Sequence, residues 1–136
     1  MISIGRRRAD ETSVENITFT QGTLAELNAD TSSLDAVLGV NVIHLIEDRQ
    51  AVLAEVARIL KPGGIFVTST ACLGHTYFRF IKLFVPLGKL LGLMPDVFIM
   101  TESELANDVR NAGFTIETQW HHGMKDMGVF MIARKV

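Results

Sequence analysis

The sequence has little cysteine, little proline and little net charge: its 136 residues include one cysteine and three prolines, and the formal net charge is −2. The single cysteine, Cys72, excludes an intrachain disulfide and is typical of a reducing compartment. The near-neutral charge gives no reason to expect a nucleic-acid partner. Together with a hydrophobic content of 48%, these features predict one globular domain in the cytoplasm.

Long uncharged apolar runs are also lacking. An early run of three arginines is followed by polar residues, which is not the pattern of a signal peptide. The longest apolar stretch, residues 77–94, contains three basic residues and Pro86, so it is a poor transmembrane helix. On a helical wheel the basic residues share one narrow arc, and the apolar remainder must be covered. This apolar surface could serve as a lid over a site, contact a lipophilic substrate, be buried against another chain or lie on a membrane surface, which is the weakest of these alternatives. It could also be covered by the ordinary packing of two helices.

Residues 34–64 predict a strand and a helix, and the next strand follows directly. Leu34–Val40 is an apolar run without alternation, which predicts a strand buried on both faces. The next apolar residues recur at three- and four-residue spacing and form one helical stripe: Val52, Leu53, Val56, Ile59 and Leu60. Lys61-Pro62-Gly63-Gly64 ends that helix. Residues 65–70 are the second strand, and this order requires parallel strands joined by a right-handed crossover.

The two flanks predict further elements. The chain opens with the end of a helix whose arginines form a solvated face, and residues 17–21 read as a short strand. Thr101 and Glu104 have the spacing of a capping box, which predicts a helix ending at Gly113. After that helix, apolar and polar residues alternate in a half-buried antiparallel strand with four inward positions, Phe114, Ile116, Thr118 and Trp120. Residues 127–133 form the closing strand.

Three segments in a fixed order carry a family resemblance: Gln21-Gly22-Thr23-Leu24, Leu60-Lys61-Pro62-Gly63-Gly64 and Ala112-Gly113-Phe114. Together they resemble a class I S-adenosylmethionine-dependent methyltransferase. The resemblance implies an α/β fold, a Rossmann-like sheet that is incomplete at its N-terminal side and closes in an antiparallel hairpin. It covers residues 1–136 as a single partial domain, with residues 73–100 as a lid-like apolar helical insertion.

The resemblance also implies the cofactor site. Gly22, Thr23 and Leu24 match the corner that lies over the adenine, and Thr23 stands where the family usually has an aspartate. Alternatively, Thr23 is the N-cap of a plain strand-to-helix turn. The family's glycine-rich turn, whose N–H groups face the cofactor, has no counterpart in this sequence. We therefore expect a methyltransferase that lacks its N-terminal third.

The residues after the central strand match the methionine and substrate side of the family's site. Val40, Asn41 and Val42 are expected to approach the methionine part of S-adenosylmethionine, since parallel sheets bind ligands beyond the carboxyl ends of their strands. His44 is the candidate general base because histidine, as a residue type, has an unperturbed pKa near neutrality; alternatively it packs against the next helix and caps it. Substrate contacts are expected from His44, His75, Tyr77 and Phe78.

No metal site is expected. Cys72, His75, His121 and His122 do not have the spacing of a zinc motif.

Two functions remain open at this stage. The first is methyl transfer from S-adenosylmethionine to a small or lipophilic acceptor. The second is a non-catalytic dimeric remnant or binding module with the same fold. In the family's sheet the strands at residues 17–21 and 34–40 are separated by two others, which this sequence lacks. The edge of strand 34–40 would then be unpaired. Residues 17–21 could move in beside it, a second copy of the chain could pair there, or the chain could be unstable; of these we expect a homodimer through this edge and the helix at residues 77–94.

Overall fold

The computed structural model describes residues 2–71, 100–122 and 128–136. This part of the chain contains three helices, four strands and two short 3₁₀ turns. The helices are α1 (Ile2–Glu11), α2 (Arg49–Ile59) and α3 (Glu102–Asn111); the strands are β1 (Leu34–Val40), β2 (Leu60–Ala71), β3 (Phe114–His122) and β4 (Gly128–Lys135); the turns are Ala25–Leu27 and Ile43–Leu45. The predictions for residues 73–100, which include His75, Tyr77, Phe78 and the helix at 77–94, lie outside the described residues, as does Cys72.

The four strands form one sheet in the order β1-β2-β4-β3. β1 and β2 are parallel, with α2 between them, which confirms the predicted βαβ unit. β4 runs antiparallel to both β2 and β3, which confirms the predicted antiparallel hairpin at the C-terminal end. The predicted α/β fold class is therefore correct.

The two faces of the sheet are unequal. α2 and α3 contribute Leu53, Val56, Leu105 and Val109 to one core with the inner-face residues of the strands. Phe66 of β2 lies at the centre of that core, 1% exposed and with its ring 5.7 Å from that of Phe114. The capping box at the start of α3 is present, as the sequence predicted. The opposite, outer face of the sheet is less well covered.

β1 corrects the prediction of a strand buried on both faces. Leu38 is 69% exposed and Val40 54% exposed, and both lie on the outer face. In the described part of the chain β1 is an edge strand that pairs with β2 alone. An apolar run without alternation indicates two covered faces only when helices pack on both sides of the sheet. Among the described helices, α2 and α3 pack on the inner face.

The end of α2 also differs slightly from the prediction. The helix ends at Ile59, and Leu60 is already extended (φ −72°, ψ 141°) as the first residue of β2. Leu60 still packs in the core, 0% exposed. Position 64 has no room for a side chain, because a Cβ on Gly64 would lie 2.8 Å from the Lys61 carbonyl oxygen and 3.2 Å from that of Asp35. The backbone segments approach each other too closely for a side chain.

The prediction that Trp120 lies on the same face as Phe114 is wrong. Ile116 lies opposite Ala133, but Thr118 lies opposite Ile132, so Glu117 is one extra residue in β3. Such a bulge moves every later side chain to the other face. Trp120 therefore pairs with Phe130 on the outer face, where the two rings stack at 4.0 Å and Trp120 remains 42% exposed.

Residues 17–21 are not a strand, which corrects a second prediction. A strand requires a neighbour to satisfy its N–H and C=O groups, and no strand of the described chain pairs with this segment. The segment is attached to α1 instead: the guanidinium of Arg6 donates to the Phe19 carbonyl (3.3 Å), and a Cβ on Gly5 would lie 2.7 Å from the Phe19 ring. α1 itself has no buried residue, and its arginines are exposed as predicted.

Candidate functional site

The chain turns sharply where β1 ends. Asn41 has a left-handed backbone (φ +53°), and its N–H donates to the Ser69 carbonyl at 2.6 Å. Asparagine is among the few residues that adopt this conformation readily. The turn leads into the 3₁₀ turn Ile43–Leu45, which Ile43 anchors in the core at 2% exposure. As a result Val40, Asn41 and Val42 are all exposed beyond the carboxyl end of β1.

His44 is held against the end of β2. Its Nδ1 lies 2.9 Å from the hydroxyl oxygen of Thr70, which is 0% exposed. The alternative in which His44 caps the next helix is wrong, because the Asp48 carboxylate caps α2 by accepting from the Ala51 N–H at 2.9 Å. The ring is half-buried, and its only hydrogen bond to the described chain is to Thr70. The imidazole is thus positioned by one nitrogen, leaving Nε2 for a ligand.

Gly22, Thr23 and Leu24 line a surface depression of about 260 Å³ together with Thr20, Gln21, Glu26 and Leu27. The Thr23 N–H donates to the Glu26 carboxylate at 2.6 Å, and the Glu26 N–H donates back to the Thr23 hydroxyl at 3.3 Å. This reciprocal pair has the bonding pattern of a capping box, although Leu24 rather than Thr23 directly precedes the turn Ala25–Leu27 and makes no side-chain cap bond. The bond from the Thr23 N–H, followed by the bond from its hydroxyl, lowers the pKa of Glu26.

The predicted cofactor residues therefore lie in two places. Val40, Asn41 and Val42 are absent from the lining of the depression that contains Gly22, Thr23 and Leu24. A depression of about 260 Å³ is smaller than the roughly 300–1,000 Å³ of most small-molecule sites. Val40 and Val42 present exposed apolar surface, whereas the depression has a mixed polar and apolar lining. In the described chain the predicted adenine-side and methionine-side residues do not share one lining.

A second histidine lies at the same edge of the sheet and was missed as a site residue in the sequence. His121 Nε2 lies 2.8 Å from a Glu102 carboxylate oxygen, and the Gln119 amide donates to the other oxygen. The register places Thr70, Val129 and His121 in one row on the inner face. Two strand spacings, about 10 Å, therefore separate the backbones of Thr70 and His121. In the sequence, the signal for this pair is that Glu102 begins a helix and His121 lies near the end of the next strand.

Two features of the described residues bear on the type of site. Residues 2–71, 100–122 and 128–136 contain no group of three or more histidine, cysteine, aspartate or glutamate side chains that could hold a metal ion. In the same ranges, no helix has the length and apolar character needed to cross a membrane.

The fold agrees with the comparison to known families. The model of the family described as methyltransferase domain matches residues 1–68, half of the chain. The chain belongs to this family and has the fold of class I S-adenosylmethionine-dependent methyltransferases.

Individual relatives support the same class. A fatty-acid O-methyltransferase of Mycolicibacterium smegmatis is 39% identical over 70 residues, which are 52% of this chain and 24% of that protein. A probable S-adenosylmethionine-dependent methyltransferase of the same organism is 41% identical over 49 residues, 36% of this chain and 19% of that protein. The aligned part is thus about a quarter or less of each relative.

Solved structures share the fold over nearly the whole chain. A methyltransferase from Methanosarcina mazei has a TM-score of 0.73 at 19% identity, covering 99% of this chain and 77% of its own. A protein from Pyrococcus horikoshii has a TM-score of 0.73 at 19% identity, covering 99% and 66%. The [4+2]-cyclase SpnF has a TM-score of 0.73 at 16% identity, covering 98% and 62%. This last neighbour is a cyclase, so the fold alone does not define the reaction.

Proposed function

We propose that this chain serves methyl transfer from S-adenosylmethionine to a small or lipophilic acceptor. The observation that carries the proposal is the turn at Asn41, which belongs to the family-matched residues 1–68. It presents Val40 and Val42 beyond the carboxyl end of β1, where sheets of this kind bind their ligands. The fatty-acid O-methyltransferase among the relatives makes a long-chain carboxylic acid the first acceptor to test.

For methyl transfer, the protein mainly has to hold the methyl donor and the acceptor close together and aligned. When bound, the cofactor supplies a methyl group on a positively charged sulfur, and an acceptor atom in line with that bond can take it. For a hydroxyl acceptor, His44 Nε2 takes the proton, while Nδ1–H donates to the Thr70 hydroxyl oxygen. For a carboxylic acid, ionised at neutral pH, no base is needed.

The cofactor half of the proposal is tested by calorimetric titration with S-adenosylmethionine, using Asn41→Gly as the probe variant. Glycine keeps the left-handed backbone and removes only the amide side chain. We expect micromolar affinity for the unchanged chain and a loss of about 3- to 10-fold in Asn41→Gly, the value of one hydrogen bond. Asn28→Gly is the matched control, because Asn28 is also left-handed (φ +49°) but lies on the turn Ala25–Leu27. The absence of heat at millimolar cofactor would contradict the proposal.

The role of His44 is tested separately with two acceptors. His44→Gln keeps a polar side chain but no base. We expect it to lower turnover of a long-chain alcohol by about 100-fold or more, as general bases contribute, and to leave turnover of a long-chain carboxylic acid nearly unchanged. Equal losses with both acceptors would remove the base role and leave a packing role.

A non-catalytic binding module remains the second candidate. One observation favours it: the Thr23 N–H and hydroxyl are both bonded to Glu26. A folded circular-dichroism spectrum together with no cofactor binding would support the module. Cytoplasmic location is part of either proposal, since one cysteine suits a reducing compartment; recovery of the expressed protein in the membrane fraction would argue against it.

A further inference from the structure

Two threonine hydroxyls of β2 are buried on the inner face of the sheet, and each has a different partner. Thr68 is 1% exposed, and its hydroxyl donates to the Gly39 carbonyl of β1 at 3.0 Å. Thr70 is 0% exposed, and among the described residues its hydroxyl has one hydrogen-bond partner, His44 Nδ1 at 2.9 Å. A buried donor without an acceptor is costly. The proton of the Thr70 hydroxyl therefore needs an acceptor, as the proton of Thr68 does.

The turn at the end of β1 explains why the partner of Thr70 is a histidine. β1 pairs with β2 only as far as Ser69, so Thr70 lies one residue beyond the parallel ladder. At this level the left-handed backbone of Asn41 has already turned the chain out of β1. The 3₁₀ turn Ile43–Leu45 follows and brings His44 Nδ1 to the Thr70 hydroxyl. A ring nitrogen thus takes the place that a backbone carbonyl has two residues earlier in β2.

This hydrogen bond assigns the two ring nitrogens of His44 when the ring is neutral. In a neutral imidazole one nitrogen carries the proton and the other nitrogen accepts. If Nδ1 carried the proton, Nδ1–H would face the Thr70 oxygen, and the Thr70 proton would have no acceptor in the described part of the chain. If Nδ1 accepts from the Thr70 hydroxyl, both groups are satisfied. The proton of the ring is then on Nε2, which points away from Thr70.

A protonated Nε2 suits one class of methyl acceptor better than the other. A carboxylate is ionised at neutral pH and has only accepting atoms, so one of its oxygens can accept from Nε2–H in a charge-assisted hydrogen bond. A hydroxyl acceptor needs a nitrogen that takes its proton. For that role His44 must adopt the other tautomer, which leaves the Thr70 proton without an acceptor. The pair of side chains thus favours a carboxylate over a hydroxyl group.

We propose that His44 selects a carboxylate acceptor by donating from Nε2–H to one carboxylate oxygen, and that Thr70 is the positioning residue that fixes this tautomer. The inference rests on the proposed function, because it names the acceptor class of the same site. The second carboxylate oxygen forms the new bond to the methyl carbon as the carbon–sulfur bond of the cofactor breaks and its electron pair returns to sulfur. The negative carboxylate and the positive sulfur become a neutral ester and a neutral thioether, so no proton moves and Nε2 keeps its own.

Nitrogen NMR of the His44 ring tests the tautomer without cofactor or acceptor. At a pH where the ring is neutral, we expect the proton on Nε2 and none on Nδ1. The other form should be less populated by about 10-fold or more, as the cost of an unsatisfied buried donor implies. The two resonances are assigned by their loss in His44→Gln. A main form with the proton on Nδ1 would overturn the proposal.

Octanoate and 1-octanol, which have the same chain length, test the selection at the same nitrogen. Added without cofactor, octanoate should shift the Nε2 resonance of His44, and 1-octanol should leave it nearly unchanged. Equal shifts with both probes, or no shift at millimolar octanoate, would overturn the carboxylate contact. A shift with octanoate in a chain that binds no S-adenosylmethionine would instead contradict the proposed methyl transfer and retain the contact, so the two failures are distinguishable.

A matched pair of variants tests the role of Thr70. Thr70→Val removes the hydroxyl at nearly constant shape, whereas Thr70→Ser keeps the hydroxyl. We expect Thr70→Val to shift the Nδ1 resonance of His44 and to weaken octanoate binding, followed at Nε2, by about 10-fold, since the ring loses the bond that orients it. Thr70→Ser should restore both. Unchanged Nδ1 resonance and octanoate affinity in Thr70→Val would remove the positioning role, and if this variant does not fold, the tautomer in the unchanged chain still decides.

Discussion

Residues 2–33 and the region from residue 34 onward are built differently. No residue of the first region is buried, whereas the second contains Leu53, Phe66, Leu105 and Met131 at 1% exposure or less. The family match at residues 1–68 crosses the boundary between them. The predicted adenine corner therefore lies in the region without a core, and the predicted methionine-side residues lie at the edge of the region with one. Only some of the predicted site residues therefore lie in the region that the core stabilises.

Short-range hydrogen bonds take the place of a core in the first region. The Thr12 hydroxyl donates to the Arg8 carbonyl at 2.7 Å, and Thr23 and Glu26 bond each other. Near the boundary, the guanidinium of Arg58 on α2 donates to the Ala29 carbonyl at 2.7 Å. Bonds of this kind set the local shape but contribute little net stability when water can replace them.

The largest contrast is expected from deleting one apolar side chain in each region. Phe66→Ala should lower the free energy of unfolding by about 3–5 kcal/mol, because it leaves a cavity where Phe66 packs against Phe114. Ile17→Ala, at a side chain 48% exposed, should change it by less than about 0.5 kcal/mol. Urea unfolding followed by circular dichroism measures both, and similar midpoints for the two variants would show that the regions share one core.

A smaller contrast is expected from the two capping boxes. Thr101→Ala removes the hydroxyl that accepts from the Glu104 N–H (3.2 Å) at the start of α3, a helix with three buried residues, and should cost about 1 kcal/mol. Thr23→Ala removes the equivalent hydroxyl at the turn Ala25–Leu27, which has none, and should cost less. Serine at either position is the control that keeps the hydroxyl. A larger loss for Thr23→Ala would contradict the contrast.

The smallest effect concerns the titration of Glu26. Its pKa lies below the usual 4.5, because the Thr23 N–H and then the Thr23 hydroxyl donate to the carboxylate. A lowered folded-state pKa means that the carboxylate stabilises the fold above pH 4.5 and loses this effect as the pH falls through the folded value. In Thr23→Ala the pKa should rise only part of the way, since the backbone bond remains.

Carboxyl carbon NMR measures this shift. Glu117, whose pKa is lowered by the Arg134 guanidinium, is the internal control and should titrate unchanged in Thr23→Ala. An unchanged Glu26 titration would mean that the hydroxyl does not contribute.

Local sequence signals predicted the elements well where the element carries its own determinants. Thr101 and Glu104 define the start of α3 and Gly113 (φ +90°) its end, whereas the Pro62-Gly63-Gly64 segment, predicted to end α2, lies inside β2. The βαβ unit followed from chain order alone. For the site, sequence placed Asn41 at the end of β1 and His44 next to it, as the structure has them.

Features that depend on a partner could not be predicted in this way. The strand predicted at residues 17–21 has the right alternation but no neighbour in the described sheet. Trp120 changes face because of one extra residue, Glu117, whose presence only the register with β4 reveals. The pairing of His121 with Glu102 joins residues from different elements, and neither has a spacing that marks it. The exposure of Leu38 depends on what packs over it.

The position of β4 has a consequence for the synthesis of the protein. This strand comes last in the chain, yet it lies between β2 and β3 and pairs with both. While a ribosome is still making residues 100–127, β3 has no strand through which to join β2. The sheet can close only after residues 128–135 have left the exit tunnel, so the nascent chain must keep its apolar strands from aggregating until then.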